Sequence, residues 1–210
     1  MAKKIFTSVI SNIMKIACNS NTPFGAKLIR DKVNVGRYGN DGRYHDFESN
    51  FVEIQPECDN DVEALKNAVK YWENDKFGMN ACYVVQAAKN GSKYYVNHKV
   101  YALTAQQDKF EILNPDEILG VVHVVPLGGR SKELFVEHVQ ANPNYLNKIN
   151  TKYAGIGTAM INSLKELCNM MTLFSSKEKS VRDFYAKNGF SEYPPNTNAY
   201  TWIKDIFDRF

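Results

Sequence analysis

Lys152-Tyr153-Ala154-Gly155-Ile156-Gly157-Thr158-Ala159 is the stretch around which the rest of the chain is most readily organised. It follows a strand-like run and a loop, and it opens a segment whose Met160, Ile161, Leu164 and Leu167 recur at helical spacing. Glycines at 155 and 157 permit backbone dihedrals and close approaches that a Cβ would block. The first turn of a helix presents unpaired N–H groups and the positive end of its dipole. Together these features describe a cradle for a diphosphate. The stretch lacks the third glycine of a dinucleotide fingerprint and the Gly-Lys-Ser/Thr of a P-loop. A helix that begins with glycine purely for packing has the same spelling.

Downstream, Gly157–Asn169 reads as a helix, Met170–Phe174 as a short apolar strand and Ser180–Asn188 as a second helix that Gly189 stops. Beyond Pro194-Pro195, the apolar residues Trp202, Ile203, Ile206, Phe207 and Phe210 fit a strand or a helix equally well. Upstream, Leu134–Gln140 alternates as a strand, and Ile118–Pro126 is the most β-branched run in the chain. Ala81–Ala88 reads as a strand with Asn90-Gly91 as a hairpin turn into Tyr94–Thr104. Asp59-Asn60-Asp61 offers N-cap oxygens to a helix with Leu65, Ala68, Val69 and Trp72 on one face, and Phe51–Gln55 opens the sheet. Residues 20–50 are rich in Asn, Gly, Asp and Arg and read as a long loop or surface-hugging segment. Ile5, Phe6, Val9, Ile10, Ile13, Met14 and Ala17 recur at helical spacing, and Ser8, Ser11, Asn12 and Lys15 make the run too polar for an export signal. The expected organisation is an N-terminal extension over 1–50 (amphipathic helix plus loop) and a main domain over 51–210.

The composition narrows the class. At 210 residues and 44% apolar, the chain can bury a core without disulfide or metal staples. Cys18, Cys58, Cys82 and Cys168 are far apart, with no Cys-x-x-Cys, and the four histidines show no His-x-x-x-His; no metal site and a cytoplasmic, reduced protein are expected. No run approaches the ~18 apolar residues of a membrane helix. A net charge of +3 neither requires nor forbids a nucleic-acid partner.

About thirty residues after the glycine loop stands Phe184-Tyr185-Ala186-Lys187-Asn188-Gly189-Phe190. With this second motif the chain resembles the GNAT superfamily of acyl-CoA-dependent N-acetyltransferases. The family's glycine loop, [QR]-x-x-G-x-G-[AG], is matched by Lys152-x-x-Gly155-x-Gly157-Thr158 with Lys at the first position and Thr at the last. Its F-Y-x-K-x-G-F segment is matched throughout. The resemblance covers residues 115–203 and implies an α/β (α+β) fold: a mixed, mostly antiparallel twisted sheet flanked by helices.

What the resemblance implies for chemistry is specific. Acetyl-CoA, as co-substrate, would lie between two diverging strands, one of them Leu134–Gln140, with its pantetheine on the backbone near Val139. Its diphosphate would sit on the amides of Tyr153, Ala154, Gly155, Ile156, Gly157 and Thr158, and Lys152 would add charge. Tyr185 would be the acid that protonates the departing thiolate. Simple alternation in Leu134–Gln140 puts Phe135, Glu137 and Val139 on one face and Val136, His138 and Gln140 on the other. Apolar neighbours would make Glu137 the leading candidate base, His138 on the other face is the second, and a water-relayed or absent base stays open. From Val139 to Gly155 the chain takes sixteen steps, about twice the family's usual, so an exposed loop is expected beside the acceptor site. Glu178 stands where many members carry Asn, and Lys177, Lys179 and Arg182 lie where the adenosine 3′-phosphate would emerge or simply on a solvated helix face.

The expected activity is transfer of an acetyl group to a primary amine: a small molecule, a protein amine or an aminoacyl-tRNA. Alternatives are a non-catalytic acyl-CoA-binding module on the same scaffold and a toxin-like aminoacyl-tRNA acetyltransferase. No membrane partner is expected, and the N-terminal helix would pack on the body or in a homodimer.

Overall fold

A computed structural model describes residues 25–70, 72, 76–128, 132–145 and 152–204. Among them, nine strands form one sheet: β1 (Lys27–Tyr38), β2 (Tyr44–Glu53), β3 (Lys99–Thr104), β4 (Ile118–Pro126), β5 (Glu133–Ala141), β6 (Tyr153–Ala154), β7 (Met170–Phe174), β8 (Ser191–Glu192) and β9 (Ala199–Ile203). Their spatial order is β6-β1-β2-β3-β4-β5-β7-β9-β8. Only β5 and β7 run parallel; the other neighbours are antiparallel. Four helices among the described residues flank the sheet: α1 (Asp59–Lys70), α2 (Lys76–Lys89), α3 (Ile156–Lys165) and α4 (Lys179–Lys187). The mixed, mostly antiparallel sheet with flanking helices is the class expected from the sequence.

Each face of the sheet buries its own core. Val52, Ile54, Val100, Ala102 and Val121 pack under α1 and α2 with Leu65, Val69, Val84 and Val85. Phe51, Leu103, Val122, Val124 and Val136 pack on the other face with Met160, Ile161 and Leu164 of α3. β4 lies between both layers, and Ile118–Val124 is buried without a break, which is why its sequence is apolar at consecutive positions instead of alternating.

Two sequence expectations are corrected. Residues 27–38 and 44–53 are strands, not loop, and a boundary after residue 50 would cut through β2. β1 reads as loop because only Val33 and Val35 of its twelve residues are buried. Ser49 joins the two strands by donating its hydroxyl hydrogen bond to the Val33 carbonyl at 2.6 Å. The second correction is Ala81–Ala88, which lies within α2. Ala81, Val84 and Val85 are buried at helical spacing, and tertiary packing overrides the strand preference of the valines. Asn90-Gly91 ends this helix: Ser92 N–H donates to the Ala87 carbonyl and Gly91 N–H to that of Ala88, the Schellman arrangement. The expected N-terminal amphipathic helix, and residues 146–151 of the expected loop, lie outside the described residues.

Candidate active site

The sheet opens where its one parallel pair ends. β5 pairs with β7 from Glu133↔Met170 to Val136↔Leu173, and no ladder pair follows. β7 ends one residue later at Phe174, paired with Ala199 of β9, while β5 runs on to Ala141 beside β4. β5 is irregular where the parallel pairing stops. Val124 pairs with Val136 and His123 with His138, so Glu137 is an extra residue in β5. Such a bulge kinks its strand and re-aims the side chains around it. Cross-strand partners share a face, so Val136 and Val139 point with Val124 and Val122 towards α3. His138 points with His123 towards α2. The alternation expected from sequence therefore fails here: Glu137 and His138 line one cavity together, and Glu137 is exposed among polar rings instead of apolar neighbours.

One wall of the opening is the start of α3. Gly155 caps the helix with φ 77° and ψ 7°, a left-handed conformation that side chains strain to adopt. The first helical bond runs from Ala159 N–H to the Gly155 carbonyl at 2.9 Å, which leaves the amides of Ile156, Gly157 and Thr158 without helical partners. Gly157 serves packing: a Cβ there would stand 3.0 Å from the ring of Phe184 in α4. Tyr153 and Ala154 form β6 and pair with Arg37 and Gly36 of β1. Lys152 is exposed, its Nζ 5.5 Å from the centre of the Tyr153 ring.

The second motif is a helix cap whose geometry fixes Tyr185. Phe190 N–H donates to the Tyr185 carbonyl at 3.1 Å and Gly189 N–H to that of Ala186 at 2.9 Å, with Gly189 at φ 76°. This is a second Schellman motif, and its customary apolar contact is the packing of Phe190 on Tyr185, ring centres 5.7 Å apart. Lys165 of α3 donates to the Asn188 carbonyl at 2.7 Å and ties the cap down. Tyr185 also lies 6.1 Å from Tyr200, the residue opposite Leu173, which is the last β7 residue paired with β5. The phenol is thus half-buried beside the strand divergence, and burial raises its pKa, which keeps it protonated. Lys177, Lys179 and Arg182 are exposed at the start of α4, and Glu178 is its N-cap residue.

The other face of the opening carries a group that motif reading missed. Asn80, Tyr83 and Val84 of α2, the turn residues Tyr94, Tyr95 and His98, His123 of β4, and Glu137 and His138 of β5 surround a cavity of about 250 Å³. His98 Nδ1 and His123 Nε2 share a hydrogen bond of 2.9 Å. His123 is 4% exposed, and its Nδ1 is buried with no partner among the described residues. No signal in one sequence joins positions 98, 123 and 138. No cluster of His, Cys, Asp and Glu among the described residues is arranged to hold a metal.

Burial, then the nearby His98 and His138, push the His123 pKa down to about 4. Its unfolded value is the ordinary 6.5, so between those limits the unfolded chain binds the extra proton and stability rises with pH. Relative to His123→Leu, the wild type is expected to gain on the order of 3 kcal/mol from pH 4 to 6.5 and nothing above it. Asp61, whose carboxyl burial raises to about 6, acts in the opposite direction, and stability falls as pH rises from 3.8 to 6. The two slopes offset over pH 4–6, so urea unfolding of wild type and variant must be subtracted at each pH. A pH-independent difference would refute the assignment.

No protein-family model and no curated protein matches the sequence. Among solved structures, a GNAT-family protein from Desulfovibrio desulfuricans is similar over 73% of this chain and 97% of its own, with 13% identity and a TM-score of 0.46. The PaiA N-acetyltransferase of Thermoplasma acidophilum, solved in complex with coenzyme A, is similar over 73% and 96%, with 11% identity and a TM-score of 0.40. AtaTR bound with AcCoA is similar over 73% and 91%, with 12% identity and a TM-score of 0.45. No helix among the described residues is long and apolar enough to cross a membrane.

Proposed function

We propose that the chain is an N-acetyltransferase that moves an acetyl group from acetyl-CoA to a primary amine. One observation carries the reading: the divergence of β5 from β7 has free helix-start amides on one side and a rigidly capped phenol on the other. The amides of Ile156, Gly157 and Thr158 suit a diphosphate, with Tyr153, Ala154 and Gly155 holding the turn and Lys152 adding charge. The backbone of β5 around Val139, unpaired towards β7, suits the amides of a pantetheine arm. Bound acetyl-CoA would supply the thioester, whose acetyl carbon bonds to the amine nitrogen as its C–S bond breaks.

The chain's own groups move the protons. Glu137 takes one from the acceptor's ammonium, which frees the nitrogen lone pair for attack. Tyr185 gives its phenolic proton to the sulfur and is reprotonated, through solvent, by the second proton that the nitrogen sheds as it becomes the amide. Glu137 passes its proton to solvent, so one proton is released per turnover.

Titration calorimetry with coenzyme A tests the binding half. Wild type is expected to bind, and Gly155→Val, which cannot hold the left-handed cap without strain, at least tenfold more weakly. Thiol release with an amine panel tests the chemistry. Glu137→Gln is expected to cut turnover roughly a hundredfold. Coenzyme A binding with no thiol release under any condition would leave a binding module and defeat the catalytic reading.

A further inference from the structure

We infer that the tyrosine–histidine cavity is the acceptor subsite and that it takes a compact organic cation bearing a primary ammonium, not a phosphate-bearing or anionic acceptor. The inference rests on the acetyl-transfer reading and adds the substrate class to it.

Position is the first argument. Glu137 directly follows Val136, the last β5 residue paired with β7, and the bulge turns Glu137 and His138 onto the α2 face. The glycine loop lies on the opposite face, in the layer of α3. The divergence of the two strands is where a group on the α2 side can meet one held on the α3 side. An acceptor in the cavity therefore presents its nitrogen at the opening.

Charge and ring chemistry select the class. Among the described residues, the cavity lining contains one carboxylate, Glu137, and no Lys or Arg. Burial also favours the neutral forms of His98 and His123. A phosphate would find no counter-charge there. An ammonium finds the carboxylate and the faces of Tyr83, Tyr94 and Tyr95, which pack on one another with ring centres 5.6 Å (Tyr83–Tyr95) and 4.7 Å (Tyr94–Tyr95) apart.

Size sets the remaining limit. A cavity of about 250 Å³ limits the acceptor to a compact molecule or the end of a narrow chain.

Calorimetry on the full chain, with and without saturating coenzyme A, tests the inference with 2-phenylethylamine and 1,4-diaminobutane as probes. The matched alcohols 2-phenylethanol and 1,4-butanediol and unfractionated tRNA are the contrasts. The ammonium probes are expected to bind at least tenfold more tightly than the alcohols. Tyr83→Ala and Tyr94→Ala, at exposed rings, should each weaken them roughly two- to fivefold, and Glu137→Gln more than either. The ring-nitrogen NMR signals of His123 should shift on adding amine in wild type. Alcohols binding as well as amines, tRNA competing at the cavity, or amine affinity untouched by all three variants would overturn the inference while the coenzyme A titration still stood. Amine binding in a chain that gives no heat with coenzyme A would instead remove the acetyl-transfer reading, and with it the acceptor role.

Discussion

Tyr185→Phe is expected to leave coenzyme A affinity within about twofold and to lower kcat roughly a hundredfold, the low end for loss of a positioned acid. The substitution removes one oxygen and keeps the ring that Phe190, Phe184 and Tyr200 pack against. The Schellman bonds around it are main-chain and survive. Stability should therefore change little, which separates this variant from one that merely loosens α4. The raised pKa of the phenol places its deprotonation above the physiological range, so the loss should be constant from pH 6 to 9. Full turnover of the variant at saturating acetyl-CoA would exclude the acid role.

Gly120→Val has the largest expected effect on folding. A Cβ at position 120 would stand 2.9 Å from the Gln140 carbonyl oxygen, 2.9 Å from Ile156 Cγ2 and 2.8 Å from Met160 Cε. The methionine end can swing aside, but the carbonyl is fixed in β5 and Ile156 is the first residue of α3. Valine is expected to cost about 3 kcal/mol, the upper end for overpacking, and to lower Tm by about 6–12 °C. Because relief requires moving the start of α3, the folded fraction should also lose coenzyme A affinity at least tenfold, measured by calorimetry well below Tm. A destabilised variant with unchanged affinity would show that the glycine loop does not depend on this contact.

The parts legible in the sequence are those whose geometry is local. Gly155, Gly157 and the run from Phe184 to Phe190 encode a helix start and a helix cap, each closed by bonds within a few residues, so their spelling survives translation into structure. β4 is legible because burial on both faces writes an unbroken apolar run. What escaped depends on neighbours distant in the chain. β1 is polar because it lies towards the edge of the sheet beside the two-residue β6. Val84 and Val85 suit a strand until α1 and the sheet enclose them. Gly120 looks like an indifferent strand residue until α3 lies across it. A period of two puts Glu137 and His138 on opposite faces, and a bulge breaks that period without leaving a mark in one sequence. The ring cluster joins residues up to 55 positions apart, from Tyr83 to His138.

Residue 137 is an extra rung in its strand. Its neighbours on either side already face consecutive positions, 124 and 123, of the adjoining strand. A gene shortened by that single codon would still knit the same fabric, with every other cross-link in register. The ladder closes without this residue, and on the proposed reading its contribution is what the strand holds out to an incoming molecule.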